Sequence, residues 1–192
     1  GSGESYTMWD IVLECPAVIT IKNNLIRGSG ITLKNDNYAN VTDSIIAGNI
    51  ILESFCPGRI IQFNTPNDNK RWRLCIIENN TIIGGKYEGL QILDGENIII
   101  RNNIIKGNNL TAAGYNMHLR AMNAVISGND LRKHGSSLSK VGFRLANFDS
   151  SQTVQWSHND LRGYGTVGYT IVTGTTELKR RANVADSTIS DI

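Results

Sequence analysis

Two carboxylates held about 5–10 Å apart across a sugar can cleave a glycosidic bond, one protonating the leaving oxygen and one activating water or attacking. The chain offers two such groupings. The tetrapeptide Asn-Asp-Leu-Arg is written twice, at Asn129–Arg132 and Asn159–Arg162, which places Asp130 and Asp160 in identical contexts with Arg132 and Arg162 two positions on. The second grouping is looser: Asp94 and Glu96, then His118 and Arg120, then Arg144 and Asp149. Arginine forks could hold an anionic or hydroxyl-rich ligand beside those acids. A third feature is the loop "NTPNDNKRWR", where Trp72 between Arg71 and Arg73 offers an apolar plate flanked by cations. His118, His134 and His158 fall in different contexts, and Cys15, Cys56 and Cys75 fit no metal-ligand spacing, so no metal and no cofactor is expected.

What positions these residues is a repeat. Asn24, Asn49, Asn80, Asn103, Asn129 and Asn159 occupy one slot. Three residues before each stands Ile21, Ile46, Ile77, Ile100, Ile126 or Trp156, and two residues after stands Ile26, Ile51, Ile82, Ile105, Leu131 or Leu161. Between these slots lies a second motif, beginning at Gly30, Gly58, Gly89, Asn116, Gly142 and Gly168, at spacings of 28, 31, 27, 26 and 26 residues. Apolar residues alternate within it (Ile31/Leu33, Leu90/Ile92, Met117/Leu119, Phe143/Leu145), the mark of a strand with one buried face. Each repeat thus carries at least two short strands and no helical pattern. Stacking such units gives a parallel β-helix whose coils lie about 4.8 Å apart. A leucine-rich repeat is the rival architecture. It is opposed by the slot eight residues before the Asn, which holds Pro16, Val41, Trp72, Gly95, Ala121 or Ser151 in place of leucine.

The expected fold is therefore all-β, a single right-handed parallel β-helix of about six rungs. The domain division is residues 1–5 as a cloning scar, 6–174 as the β-helix and 175–192 as a cap or subunit contact, because the inward slots around Asn183 hold Leu178, Arg180 and Ala185 and the coil is failing there. With 192 residues and 40% hydrophobic content the chain can build one sizeable core. A net charge of +2 gives no footprint for nucleic acid, and no apolar run approaches the roughly 20 residues of a membrane span. No signal peptide is expected.

On "I-x-I-x-x-N-x-I" and "G-Φ-x-Φ", running from about Trp9 to Val172, the chain resembles the parallel β-helix family of pectate-lyase-like enzymes and phage tailspikes. The resemblance implies a phage tailspike or tail fibre: a homotrimer on the virion tail, folded in the host cytoplasm and acting outside it, that binds and in some members hydrolyses bacterial surface polysaccharide. Two alternatives stay open, a monomeric bacterial polysaccharide lyase or hydrolase, and a shaft module with no ligand. Six rungs is short for a complete depolymerase and points to a fragment. On this frame Asp94, Glu96 and Asp149 are the candidate catalytic acids, with Glu96 and Asp149 two rungs or roughly 9–10 Å apart. His118, Arg120, Arg144, Trp72, Arg71 and Arg73 are the candidate glycan contacts. Asp130 and Asp160 read as a structural Asp/Arg lattice.

Overall fold

The computed structural model describes residues 11–14, 18–34, 40–41, 43–52, 61–64, 71–108, 114–135, 141–146, 153–164, 169–172, 177–181 and 183. Every regular element among them is a strand, and every pairing is parallel. The chain is a parallel β-helix with three sheets along its length.

The first sheet stacks Ile11–Glu14, Ile31–Lys34, Ile61–Asn64, Leu90–Glu96, Tyr115–Met122, Val141–Ala146 and Tyr169–Val172, with Asn40–Val41 and Arg71–Arg73 beside it. The second stacks Thr20–Lys22, Ile45–Ala47, Ile76–Glu78, Ile99–Arg101, Ala124–Ser127, Thr153–Ser157 and Glu177–Arg181. The third holds Leu25–Arg27, Ile50–Leu52, Thr81–Ile83 and Ile104–Lys106. Seven stacked strands in two sheets slightly exceed the expected six rungs, and four successive coils carry all three sheets. The third strand of each coil is only three residues long, too short for alternation to announce it. The second sheet also continues past residue 174: Glu177–Arg181 pairs with Thr153–Ser157, and Asn183 accepts from Asn159. The coil expected to fail there carries one more strand.

Register explains the sequence columns. Ile46, Ile77, Ile100, Ile126 and Trp156 stack on one inner wall, and Ile51, Ile82, Ile105, Leu131 and Leu161 on another; all are buried. The aromatic end of the core closes with Phe143 edge-on to Trp156, ring centroids 4.8 Å apart. Turns fall where left-handed backbone is cheap. The residue before each ladder asparagine has positive φ, and those residues are Asn23, Gly48, Asn79, Asn102, Gly128 and His158. This accounts for the recurring "NN", "GN" and "HN" pairs.

The asparagines form one continuous hydrogen-bonded stack. Asn103 Nδ2 donates to Asn129 Oδ1 at 3.0 Å and to Ile77 O at 2.9 Å, while its backbone N–H donates to the same Asn129 Oδ1. Its own Oδ1 accepts from both Asn80 N and Asn80 Nδ2. The same bonds run from Asn24 to Asn183. Buried polar groups are costly unless paired, and here each coil's side chain satisfies the preceding coil's turn.

Candidate functional site

The outer face of the first sheet gathers most of the expected site. Gln91, His118, Arg144 and Thr170 are register partners on successive coils. Gln91 is buried, with its Nε2 3.4 Å from His118 Nδ1, whereas His118 and Arg144 are partly exposed. The Arg144 guanidinium lies over the Tyr115 ring, 5.2 Å from its centroid, and Tyr115 and His118 rings are 5.6 Å apart. Arg144 Nε is buried and has no hydrogen-bond partner among the described residues. A buried donor without an acceptor calls for an explanation.

A β-bulge builds the next part. Ile92 pairs with Leu119 and Gly95 with Ala121, so Leu93 and Asp94 together stand opposite Arg120. Asp94 adopts φ +66, which turns its carboxylate onto the Arg120 guanidinium; the pair is in direct contact and Asp94 is almost wholly buried. Glu96 sits on the outer face opposite Arg73 and binds its Nε at 2.8 Å. Both carboxylates therefore accept from arginines, an arrangement that fixes side chains and neutralises charge. Asp149, the second half of the expected acid pair, lies outside the described residues, as does the Arg71 side chain.

Trp72 is not a sugar plate. It is fully buried, on an inner column that pairs Val41 with Trp72 and Trp72 with Gly95, with Ala121 next. The column is close packed beside it: a Cβ on Gly95 would come within 2.8 Å of Ile98 Cγ1 and 3.2 Å of Ala121 Cβ, so the large residue stands at the Trp72 coil and small ones at the next two. The signal was in the sequence: Trp72 shares its slot with Gly95 and Ala121, a large residue beside small ones.

The repeated tetrapeptide resolves into four roles. Asn129 and Asn159 belong to the ladder, and Leu131 and Leu161 to the core. Asp130 is gripped by its own Arg132, at 2.8 Å from Nε and 2.8 Å from Nη2, and by Lys106 at 3.0 Å. Asp160 is gripped by Arg162 at 2.9 and 2.6 Å, and Arg132 reaches across to it at 3.5 Å. Asp130 and Asp160 are bridge partners on adjacent coils, so the two carboxylates would repel without these cations. The Arg132 guanidinium, helped by Lys106, holds the Asp130 carboxyl well below the usual range against the opposing effect of partial burial. Arg162 does the same for Asp160. A carboxylate held ionised in this way is no proton donor. The ion pairs tie adjacent coils together, Lys106 to Asp130 and Arg132 to Asp160.

Comparison of the chain with protein-family models, curated proteins and solved structures gave no match. The architecture and the geometry of this face are therefore what the functional reading rests on.

Proposed function

We propose that the chain is a receptor-binding β-helix of the tailspike or tail-fibre kind, carried on a virion tail as a homotrimer, and that the outer face of its first sheet binds bacterial surface polysaccharide. The observation that carries the reading is the Tyr115–His118–Arg144 cluster. It combines an aromatic ring, a ring nitrogen and a guanidinium whose buried Nε has no acceptor among the described residues. The exposed part of the Arg144 side chain can donate to a sugar hydroxyl or carboxylate, and such a charge-assisted bond is among the stronger ones available to a polar ligand. The pairing of Asp94 with Arg120 and Glu96 with Arg73 favours binding over cleavage at these positions.

The test is titration of purified capsular polysaccharide and lipopolysaccharide into the protein, with Arg144→Ala alongside. Loss of one charge-assisted bond weakens binding about tenfold or more, from roughly 1.5–3 kcal/mol, with the melting temperature unchanged. Equal affinity in the variant removes this face. Release of new reducing ends or unsaturated sugars by wild-type protein would favour the hydrolase or lyase alternative.

A further inference from the structure

We infer that the first coil is a docking edge, and that it takes one further coil from a partner chain: two short parallel strands joined at an asparagine. The inference goes beyond the reading above and rests on neither its glycan part nor its subunit part.

Ile11–Glu14, Thr20–Lys22 and Leu25–Arg27 each stand last in their sheet, so the coil has a bare strand edge among the described residues. The next coil shows what that edge lacks. There Ile45 N–H donates to Ile19 O at 2.7 Å and Ile50 N–H to Asn24 O at 2.8 Å, while the carbonyls of Ala47 and Leu52 accept from Asn23 and Gly28. In register, the same four groups of the first coil are Thr20 N–H, Leu25 N–H and the carbonyls of Lys22 and Arg27, and no described strand lies beyond them. The asparagine ladder stops here too. Asn49 Oδ1 accepts the backbone and side-chain donors of Asn24, whereas Asn24 Oδ1 accepts from no described residue. Apolar exposure peaks at the same place: Val18 at 65% and Leu25 at 63% are the most exposed large hydrophobic residues described. Ile26 is only partly buried, where Ile51, Ile82 and Ile105 in its column are fully buried.

The two ends of the stack differ. A bare strand edge recruits other strands, and an inward-pointing charge is one way to blunt it. The far end carries one: Arg180 pairs in register with Trp156, in the inner column that otherwise holds isoleucine. The first coil carries none, because its inner slots hold Ile19, Ile21 and Ile26, the residues of an interior coil. Its cations, Lys22 and Arg27, lie on exposed outer positions. Lys22 shares its column with Glu78 and Arg101, which pair at 2.6 Å, so an acidic residue at that outer position of an incoming coil would be favoured.

The edge selects its occupant. The Asn24 acceptor is matched by a residue that brings a backbone N–H and an amide N–H together, as Asn49 does for Asn80. Residues 1–10 and 184–192 contain no asparagine. A second copy docked by its own first coil sets acceptor against acceptor, and one docked by its last coil sets Arg180 against the Ile21 column. A partner segment with aliphatic residues three before and two after an asparagine meets every requirement. It extends the second and third sheets through backbone bonds, as an added strand does at an open edge, and its asparagine continues the ladder.

Titration of the full chain with the synthetic peptide Ile76–Gly84, read by amide hydrogen exchange, tests this. The peptide supplies Asn80 for the ladder, Ile77 and Ile82 for the core edge and Glu78 for Lys22. At saturation the Thr20 and Leu25 amides should exchange about tenfold more slowly or better. Asn24→Ala in the protein should weaken binding about tenfold or more, because two donors lose their acceptor. Asn80→Asp in the peptide, which sets a carboxylate against Asn24 Oδ1, should weaken it as much. Ile26→Lys, which copies the charge at Arg180, should abolish binding, with unchanged exchange at the protein's own Asn80 amide showing that the later coils stay folded. Asn183→Ala, at the far end, should bind as wild type does. Unchanged Thr20 and Leu25 exchange at millimolar peptide, or full affinity in Asn24→Ala or Ile26→Lys, would each overturn the inference.

Discussion

Replacing Asn103 by alanine strips five hydrogen bonds from the middle of the core. Asn80 N–H and Asn80 Nδ2 lose the oxygen they share, the carbonyls of Ile77 and Arg101 lose a donor, and Asn129 Oδ1 keeps only the Asn103 backbone N–H of its two donors from that residue. Asn80 and Asn103 are both buried, so water cannot stand in without opening the coil. Two orphaned donors at about 1–2 kcal/mol each, with the weaker loss at the carbonyls, give a cost of about 3–4 kcal/mol. Asn24 at the first rung is exposed, and Asn49 Oδ1 keeps the Asn24 backbone donor when the Asn24 amide is removed; Asn24→Ala should cost only about 1 kcal/mol. Urea unfolding gives the comparison of midpoints. Hydrogen exchange at the Asn80 amide gives the local one, which matters because a solenoid need not unfold as one unit. That amide should exchange about two to three orders of magnitude faster in Asn103→Ala, by the usual factor of ten per 1.4 kcal/mol. Equal costs at the inner and outer rungs, or an unchanged Asn80 exchange rate, would refute the claim that the ladder stabilises the stack.

Acid should erode the Asp/Arg lattice: the folded-state pKa values of Asp130 and Asp160 are lowered, so their contribution is complete above the unfolded value near 3.9 and fades as pH falls below it. Both pairs are partly solvated, so the melting profile of Asp130→Asn/Asp160→Asn should be flatter below about pH 4 by no more than about 1 kcal/mol. Burial pushes the Cys75 thiol up to about 12, so iodoacetamide at pH 8 should leave Cys75 unmodified in the folded chain and label it in urea, as mass spectrometry would show. Leu74→Asn, measured by urea unfolding in dilute solution, should stabilise the single chain by about 1 kcal/mol through relief of left-handed strain.

The architecture was legible because its signals are periodic and redundant. One asparagine per coil, an isoleucine on either side and an alternating strand between them leave few other folds. Short-range features were harder to read. The three-residue strands of the third sheet have no room for a pattern, and the strand at Glu177–Arg181 hides behind Arg180 in a slot that holds aliphatic residues in most earlier coils. The candidate site was half legible. Alternation placed His118 and Arg144 side by side, but the bulge that turns Asp94 onto Arg120 depends on one residue adopting an uncommon backbone conformation. Trp72 misled because flanking arginines suggest an exposed segment, whereas the neighbours that decide its place, Gly95 and Ala121, are 23 and 49 positions away.

Successive ladder residues are separated by 25, 31, 23, 26, 30 and 24 positions, yet the amide contacts between them stay within 2.8–3.0 Å. Circumference is thereby uncoupled from pitch. Residues can be spliced into or out of a corner and the spine does not register the change, so surface segments are free to diversify while the same internal scaffold persists.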